Sequence, residues 1–272
     1  GTRATTLDNG REAVTFSFQG AERLLLVPDT WGQVSPAFDQ GNIKHAALGL
    51  YQAINGTGDD KKAGEDYLCW MAERQIKAGA TFLDINVDEY CNDSAEAARV
   101  MAFLVAFLSE RYDTPLSIDS SNPEVLRAGL AGCRRDPRPP MVNSVSLERE
   151  ITAELVAEFG AEVIVNAAGR EGMPVDAAER LTNLEMIIAV LAELGVAEER
   201  MHIDPLVLPI STDPMNGSVF LEATAAAHQR FPSVHLNGGL SNISFGMPNR
   251  KLLNMVFMRL CAEAGTDGGI ID

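Results

Sequence analysis

Six short apolar runs in this sequence carry or end on an Asp or Asn: Thr81–Asn86 (TFLDIN), Pro115–Asp119 (PLSID), Met141–Asn143 (MVN), Val163–Asn166 (VIVN), His202–Asp204 (HID) and Val234–Asn237 (VHLN). The carboxylates of Asp84, Asp119 and Asp204 accept hydrogen bonds, whereas the amides of Asn86, Asn122, Asn143, Asn166, Asn237 and Asn242 both donate and accept. No strong nucleophile stands among them. Such a set suits a planar heterocycle rich in N–H and C=O groups, held by a fan of directed hydrogen bonds, and a pterin is such a ring. A single Asp or Asn after a strand is as often a turn former or the N-cap of the next helix. Its recurrence at similar places in successive units gives the functional reading its weight.

The runs have the aliphatic character of buried parallel strands, whose last residues leave the core along one edge of a sheet. Between them lie segments of helical period. Asp66–Ala78 sets Leu68, Met71, Ala72 and Ile76 on one face and stops at Gly79, and Ser94–Glu110 follows Asp93 or Ser94 as N-cap. Segments 123–131, 146–159, 177–194 and 218–230 repeat the pattern. Adding Arg23–Val27 at the start and Gly269–Ile271 at the end gives about eight strands, the number of a (β/α)8 TIM barrel. A doubly wound open sheet is the competing arrangement, and the spread of polar strand ends favours the closed ring. Residues 1–20, with the alternating run Ala13–Phe18 before Gly20, predict a hairpin-like extension ahead of a barrel over 21–272. The sequence stops just after the eighth strand, so the final helix is absent and the barrel is expected to be truncated. Residues 31–62 predict a long loop with one short helix near Ile43–Ile54, serving as a substrate lid, a docking surface or a plain insertion.

Composition narrows the function classes. The 272 residues, 46% of them hydrophobic, can bury a large core, and a formal net charge of -16 argues against a nucleic-acid partner. Cys69, Cys91, Cys133 and Cys261 form no metal-binding or redox spacing, so reduced thiols and no metal site are expected. His45, His228 and His235 show no metal spacing, and His202 reads as a packed residue. Met247, Phe257 and Met258 read as core. No run approaches a membrane span and no leader pattern opens the chain, which predicts a cytoplasmic location.

Five motifs carry a family resemblance: LDIN at Leu83–Asn86, IDSSNPEVLRAGL at Ile118–Leu130, MVNSVSLERE at Met141–Glu150, IDPLVLP at Ile203–Pro209 and GGLSNISFGMPNR at Gly238–Arg250. Together, and in this order, they resemble the pterin-binding methyltransferases: the methyltetrahydrofolate:corrinoid methyltransferases and the folate module of cobalamin-dependent methionine synthase. The resemblance covers roughly residues 79–272 and implies a TIM barrel binding methyltetrahydrofolate or tetrahydrofolate at its C-terminal mouth. It implies methyl transfer between N5 of the folate and the cobalt of a corrinoid (cobalamin) carried by a partner protein. Asp119, Asn143 and Asp204 match the family's pterin ligands, with Asp84 and Asn86 close by and Asn166 on the same rim. Asn242 matches the asparagine near N5, which makes it the catalytic candidate, and Arg250 matches an arginine near the substrate. Relatives are often homodimers.

Departures bear on the reading. A GERIN-like motif at the first strand is replaced by Leu26-Val27-Pro28-Asp29-Thr30-Trp31, with Asp29 as the nearest substitute for the missing glutamate. Phe245 stands where some relatives carry glutamine. The direction of transfer stays open. The alternatives are a dihydropteroate synthase-like enzyme, which expects a basic motif where this chain has Leu240-Ser241-Asn242, or a folate-binding module without turnover.

Overall fold

Gln19 and Gly20, with left-handed φ angles of 50° and 77°, form a two-residue turn whose twist suits an antiparallel hairpin. The computed structural model, which describes residues 2–35, 38, 41–91, 93–136 and 138–271, places β1 (Arg3–Thr6), β2 (Glu12–Phe18) and β3 (Ala21–Leu26) in one antiparallel sheet around this turn. The segment Arg23–Val27, expected as the first barrel strand, is therefore part of a meander. Its side chains explain why. Leu24 is exposed, Leu25 is fully buried, and Arg23 pairs with Asp66 at 2.8 Å, the alternation of a half-buried strand. A two-residue connection also costs little chain entropy to close. The division expected after residue 20 falls within this hairpin, and Asp272 lies outside the described residues.

The chain divides into two units, Gly1–Pro140 and Met141–Asp272. In the first, the inner face of β2, with Val14, Phe16 and Phe18, packs with Leu25 and Val27 on α1 (Trp31–Val34), α2 (His45–Asn55) and α3 (Gly58–Lys77). Phe16 meets Tyr67 edge-on at 5.1 Å. The short helix expected near Ile43–Ile54 is α2, and the stretch expected as loop around it also holds α1 and the start of α3. Helices α2 and α3 touch through glycines: a Cβ on Gly49 would lie 2.6 Å from the Tyr67 ring, and one on Gly64 would collide with the Ala53 backbone nitrogen. The unit continues through β4 (Leu83–Asn86), α4 (Ser94–Ser109), β5 (Leu116–Asp119) and α5 (Pro123–Gly132), with β4 and β5 parallel and Asn86 level with Asp119. Asp93 caps α4 by accepting the Glu96 N–H at 2.8 Å. Asn122 caps α5 in the same way, from Glu124 N–H at 2.8 Å with Pro123 at the first helical position.

The second unit is a parallel sheet in the order β6 (Met141–Val145), β7 (Glu162–Asn166), β8 (Met201–Asp204), β9 (His235–Leu236). Between the strands run α6 (Thr152–Phe159), α7 (Ala177–Glu193) and α8 (Asn216–Arg230), and α9 (Arg250–Ala264) follows β9. All five residues of β7 are buried, as a strand covered on both faces requires. The expected last strand, Gly269–Ile271, is represented by one parallel bridge from Ile270 to Gly239. On α9, Phe257 and Cys261 are buried, but Met258, expected in the core, is exposed together with Leu252, Met255 and Val256. At the amino-terminal end of this sheet Glu162 meets His202 Nε2 at 2.7 Å, His202 stacks on His235 at 4.7 Å, and His235 Nδ1 meets Asp267 at 2.7 Å.

Candidate functional site

Of the polar residues picked out in the sequence, Asn86, Asp119, Asn166 and Asp204 end strands and Asn237 directly follows one, where a parallel strand leaves the core, whereas Asn143, expected at a strand end, lies in the middle of β6 because that strand runs on to Val145. In the first unit Asn86 and Asp119 are the last residues of β4 and β5, and the Asn86 amide donates to the Asp119 carboxylate at 3.1 Å. Asn86 also donates to Asp88 at 3.1 Å and accepts the Asp88 N–H at 2.7 Å, so it shapes the turn after β4 while meeting its neighbour. Asp84 lies two residues earlier on the same exposed face of the strand. Asp84 and Asn86 border an apolar cavity of about 350 Å³, lined by Leu50, Leu68, Met71, Leu83, Ile85 and Leu104 among others. Periodicity gave no sign of this cavity, because it forms between α2, α3, α4, β4 and the turn after β4, which no single element's pattern reports. Asn122, grouped in the sequence with the other amides, is a helix cap.

In the second unit Asn166 and Asp204 are paired in register at the ends of β7 and β8, and Asn237 follows β9 directly. Asn143 lies in β6 opposite Ile164. The Asn166 amide donates to Ser144 Oγ at 2.7 Å and its carbonyl oxygen accepts the Ala168 N–H at 3.0 Å, which fixes which end of the amide points where. Ser144 Oγ also accepts from Arg149 at 3.1 Å. The Oδ1 of Asn237 is buried without a hydrogen-bond partner and lies on the side of Gly268, where an added Cβ would come within 3.5 Å of it.

The carboxyl of Asp204 is strongly perturbed by its surroundings. Part of the residue reaches solvent, but the carboxyl itself is so enclosed that burial pushes it up to about 6. Hydrogen bonds from the Leu206 and Gly239 N–H groups and the charge of Arg180 pull the other way. Leu206 N–H reaches Oδ1 at 2.7 Å. Gly239, the second donor, also touches the next candidate, since a Cβ there would lie 2.8 Å from Asn242 Nδ2. Only glycine lets Asn242 approach this closely. Asn242 is exposed, in a short 3-10 turn over Leu240–Ser244. That turn is braced by Arg250, which donates to Ser244 Oγ at 3.0 Å and Ser241 O at 3.2 Å and stacks on the exposed Phe245 ring at 4.7 Å.

Sequence reasoning missed Arg180, although a signal was present. Ala177, Leu184, Ile187, Ile188 and Leu191 make the buried face of α7, and Arg180 sits in line with them, four residues before Leu184. An arginine on a core face is a cost that needs a partner.

A parallel α/β sheet with acceptors and amides at its carboxyl ends defines a class of proteins that bind small ligands beyond those ends. Residues 54–272 match the family model described as pterin binding enzyme, and the chain belongs to that family. A methylcorrinoid:tetrahydrofolate methyltransferase from Eubacterium limosum is 31% identical over 215 residues, 76% of each chain. Methionine synthase of Mycobacterium tuberculosis is 33% identical over 245 residues, covering 82% of this chain but 20% of that much longer protein. Among solved structures, Yersinia pestis DHPS with a pterine-sulfa conjugate superposes with a TM-score of 0.60 at 19% identity, over 75% of this chain and 81% of that one. The 7,8-dihydropteroate synthase of Vibrio fischeri ES114 gives the same score and identity over 76% and 79%. At such identity these two speak for the fold alone. Among the described residues no helix is long and apolar enough to cross a membrane.

Proposed function

We propose that this protein moves a methyl group between N5 of tetrahydrofolate and the cobalt of a corrinoid held by a partner protein. The observation that carries the reading is the row Asn166, Asp204 and Asn237 with Asn242 beside it, in a chain 31% identical to a methylcorrinoid:tetrahydrofolate methyltransferase. In this reading the carboxylates of Asp119 and Asp204 accept from the ring N–H groups of the pterin. The amides of Asn86, Asn143 and Asn166 match its mixed donors and acceptors, with Asp84 at the edge and Arg250 toward the rest of the folate. The fold is the closed (β/α)8 barrel of the family, with β4–β9 among its staves.

The corrinoid supplies a cobalt centre that is itself a strong nucleophile, so this chain has to bind, orient and polarise. Breaking the N5–methyl bond leaves electrons on N5, which must receive a proton or a strong hydrogen bond as the bond lengthens. Asn242 serves that step, because an amide can donate to N5 in one protonation state and accept from N5–H in the other. The same site serves transfer in either direction, including the methylation of tetrahydrofolate in a demethylation pathway of one-carbon metabolism. We place the protein in the cytoplasm, as a possible homodimer that docks a corrinoid protein.

The test mixes the protein with methyltetrahydrofolate and Co(I) cobalamin and follows the cobalt spectrum, with methylcobalamin and tetrahydrofolate as the reverse arm. Conversion in either arm supports the reading. Tight folate binding with a static spectrum in both arms would leave a binding module, and formation of dihydropteroate from a pterin pyrophosphate and p-aminobenzoate would make it a synthase.

A further inference from the structure

We propose that Arg180 is a positioning residue for Asp204: from the core face of α7 its guanidinium holds the turn after β8 in the shape that delivers a backbone N–H to the Asp204 carboxylate. The inference rests on the reading that Asp204 meets the pterin, and it concerns how that carboxylate is aimed. Arg180 is 1% exposed. Its Nη1 donates to two successive carbonyls, Pro205 O at 2.9 Å and Leu206 O at 2.7 Å. Its Nε is buried and has no hydrogen-bond partner, so the group is held for what its far end does and not for full satisfaction.

The turn needs holding. Leu206 has φ 70°, the left-handed region that a side chain with a Cβ rarely adopts. That conformation directs the Leu206 N–H back onto Asp204 Oδ1 at 2.7 Å while its carbonyl faces Arg180. The two carbonyls captured by one guanidinium therefore fix a strained residue whose amide grips the candidate carboxylate. The positive charge of Arg180 also acts on Asp204 and Asp176. Those effects favour the ionised Asp204 against the burial that disfavours it. A packed hydrophobe at position 180 would fill the core face as well as arginine does, yet would supply neither effect.

The experiment uses the full chain and three variants, Arg180→Met, Arg180→Lys and the double variant Arg180→Met/Leu206→Gly, each first checked for folding by circular dichroism and thermal melting. The deciding readout needs no folate: the carbon-13 shift of the Asp204 side-chain carboxyl is followed against pH, assigned with Asp204→Asn. Losing the cation in Arg180→Met is expected to raise the midpoint by about half a pH unit or more, and Arg180→Lys to keep it within about half a unit of the parent. Methyltetrahydrofolate binding by calorimetry is expected to weaken about tenfold in Arg180→Met and to recover at least about threefold in the double variant, because glycine accepts a left-handed backbone without help. An unchanged carboxyl midpoint in folded Arg180→Met overturns the proposal. So does a binding loss that Leu206→Gly leaves untouched. If Arg180→Met does not fold, Arg180→Lys decides alone: a midpoint retained with a weakened grip on folate supports the clamp, and parent-like binding overturns it. A shifted midpoint with no methyltetrahydrofolate binding in the parent would leave the clamp standing and remove the folate reading instead.

Discussion

Replacing Asp204 with asparagine tests whether this carboxyl is as enclosed as its surroundings indicate. The side chain ionises near 3.8 in the unfolded chain and is pushed up to about 6 by burial in the fold. The folded state therefore holds the proton more tightly, so Asp204 favours folding most at low pH and its contribution falls as pH rises through about 6. At about 1.36 kcal/mol per pH unit, the full penalty above that range is about 3 kcal/mol, of which about 2 kcal/mol develops between pH 4.5 and 7.5. Asparagine at 204 still accepts the Leu206 N–H, but it can set an amide N–H against the Gly239 N–H, which costs about 1–3 kcal/mol at every pH. The absolute stability of the variant thus mixes two effects, whereas its pH dependence isolates one. Urea unfolding of both proteins at pH 4.5 and 7.5 should show the parent losing about 2 kcal/mol more than Asp204→Asn across that interval. Parallel pH profiles for the two proteins would refute the enclosure of Asp204.

Two further outcomes follow from the geometry. Asn242→Ala is expected to slow methyl transfer by about a hundredfold with folate affinity within about threefold, whereas Asp119→Ala mainly weakens folate binding; equal losses of rate and affinity in both variants, by single-turnover kinetics and calorimetry, would contradict this division. Gly64→Ala forces a methyl group into the Ala53 backbone and is expected to cost about 3 kcal/mol or more in chemical denaturation, while Gly58→Ala, where nothing lies within 4 Å of the new Cβ, costs less despite its left-handed φ of 54°.

Much of the layout was legible because periodicity reports burial directly. Strands β4, β5 and β9 fall within the runs picked out in the sequence, β6, β7 and β8 exceed theirs by one or two residues, and the helix expected over 177–194 is observed at Ala177–Glu193. The helix expected over 146–159 begins later, at Thr152, because a 3-10 turn over Leu147–Arg149 takes up its start. Arg23–Val27 misled because its residue types fit a barrel strand, while the turn signal at Gln19-Gly20 bound it to β2 locally. Helix α9 went unassigned because its exposed side carries Leu252, Met255 and Val256, which blurs the contrast between faces on which the period depends. In the site, residue types identified the candidate strand-end carboxylates and amides, yet they could not separate Asn122, a helix cap, from Asn166. Both accept the N–H two residues on, and what differs is that the one Asn122 accepts belongs to the first turn of a helix. Arg180 was invisible to any search for polar strand ends, since it comes from a helix and acts through the carbonyls one and two residues after Asp204, the last residue of β8.

The chain of Glu162, His202, His235 and Asp267 joins β7, β8, β9 and the segment after α9 by side-chain contacts at the amino-terminal ends of the strands. Asn166, Asp204 and Asn237 stand at the opposite ends of the same strands. Each strand is thus anchored at its entrance and free to specialise at its exit. Loops beyond Asn166 or Asp204 can lengthen, shorten or change chemistry while the imidazole stack keeps the strands aligned, so one foundation can outlast many changes at the opposite rim.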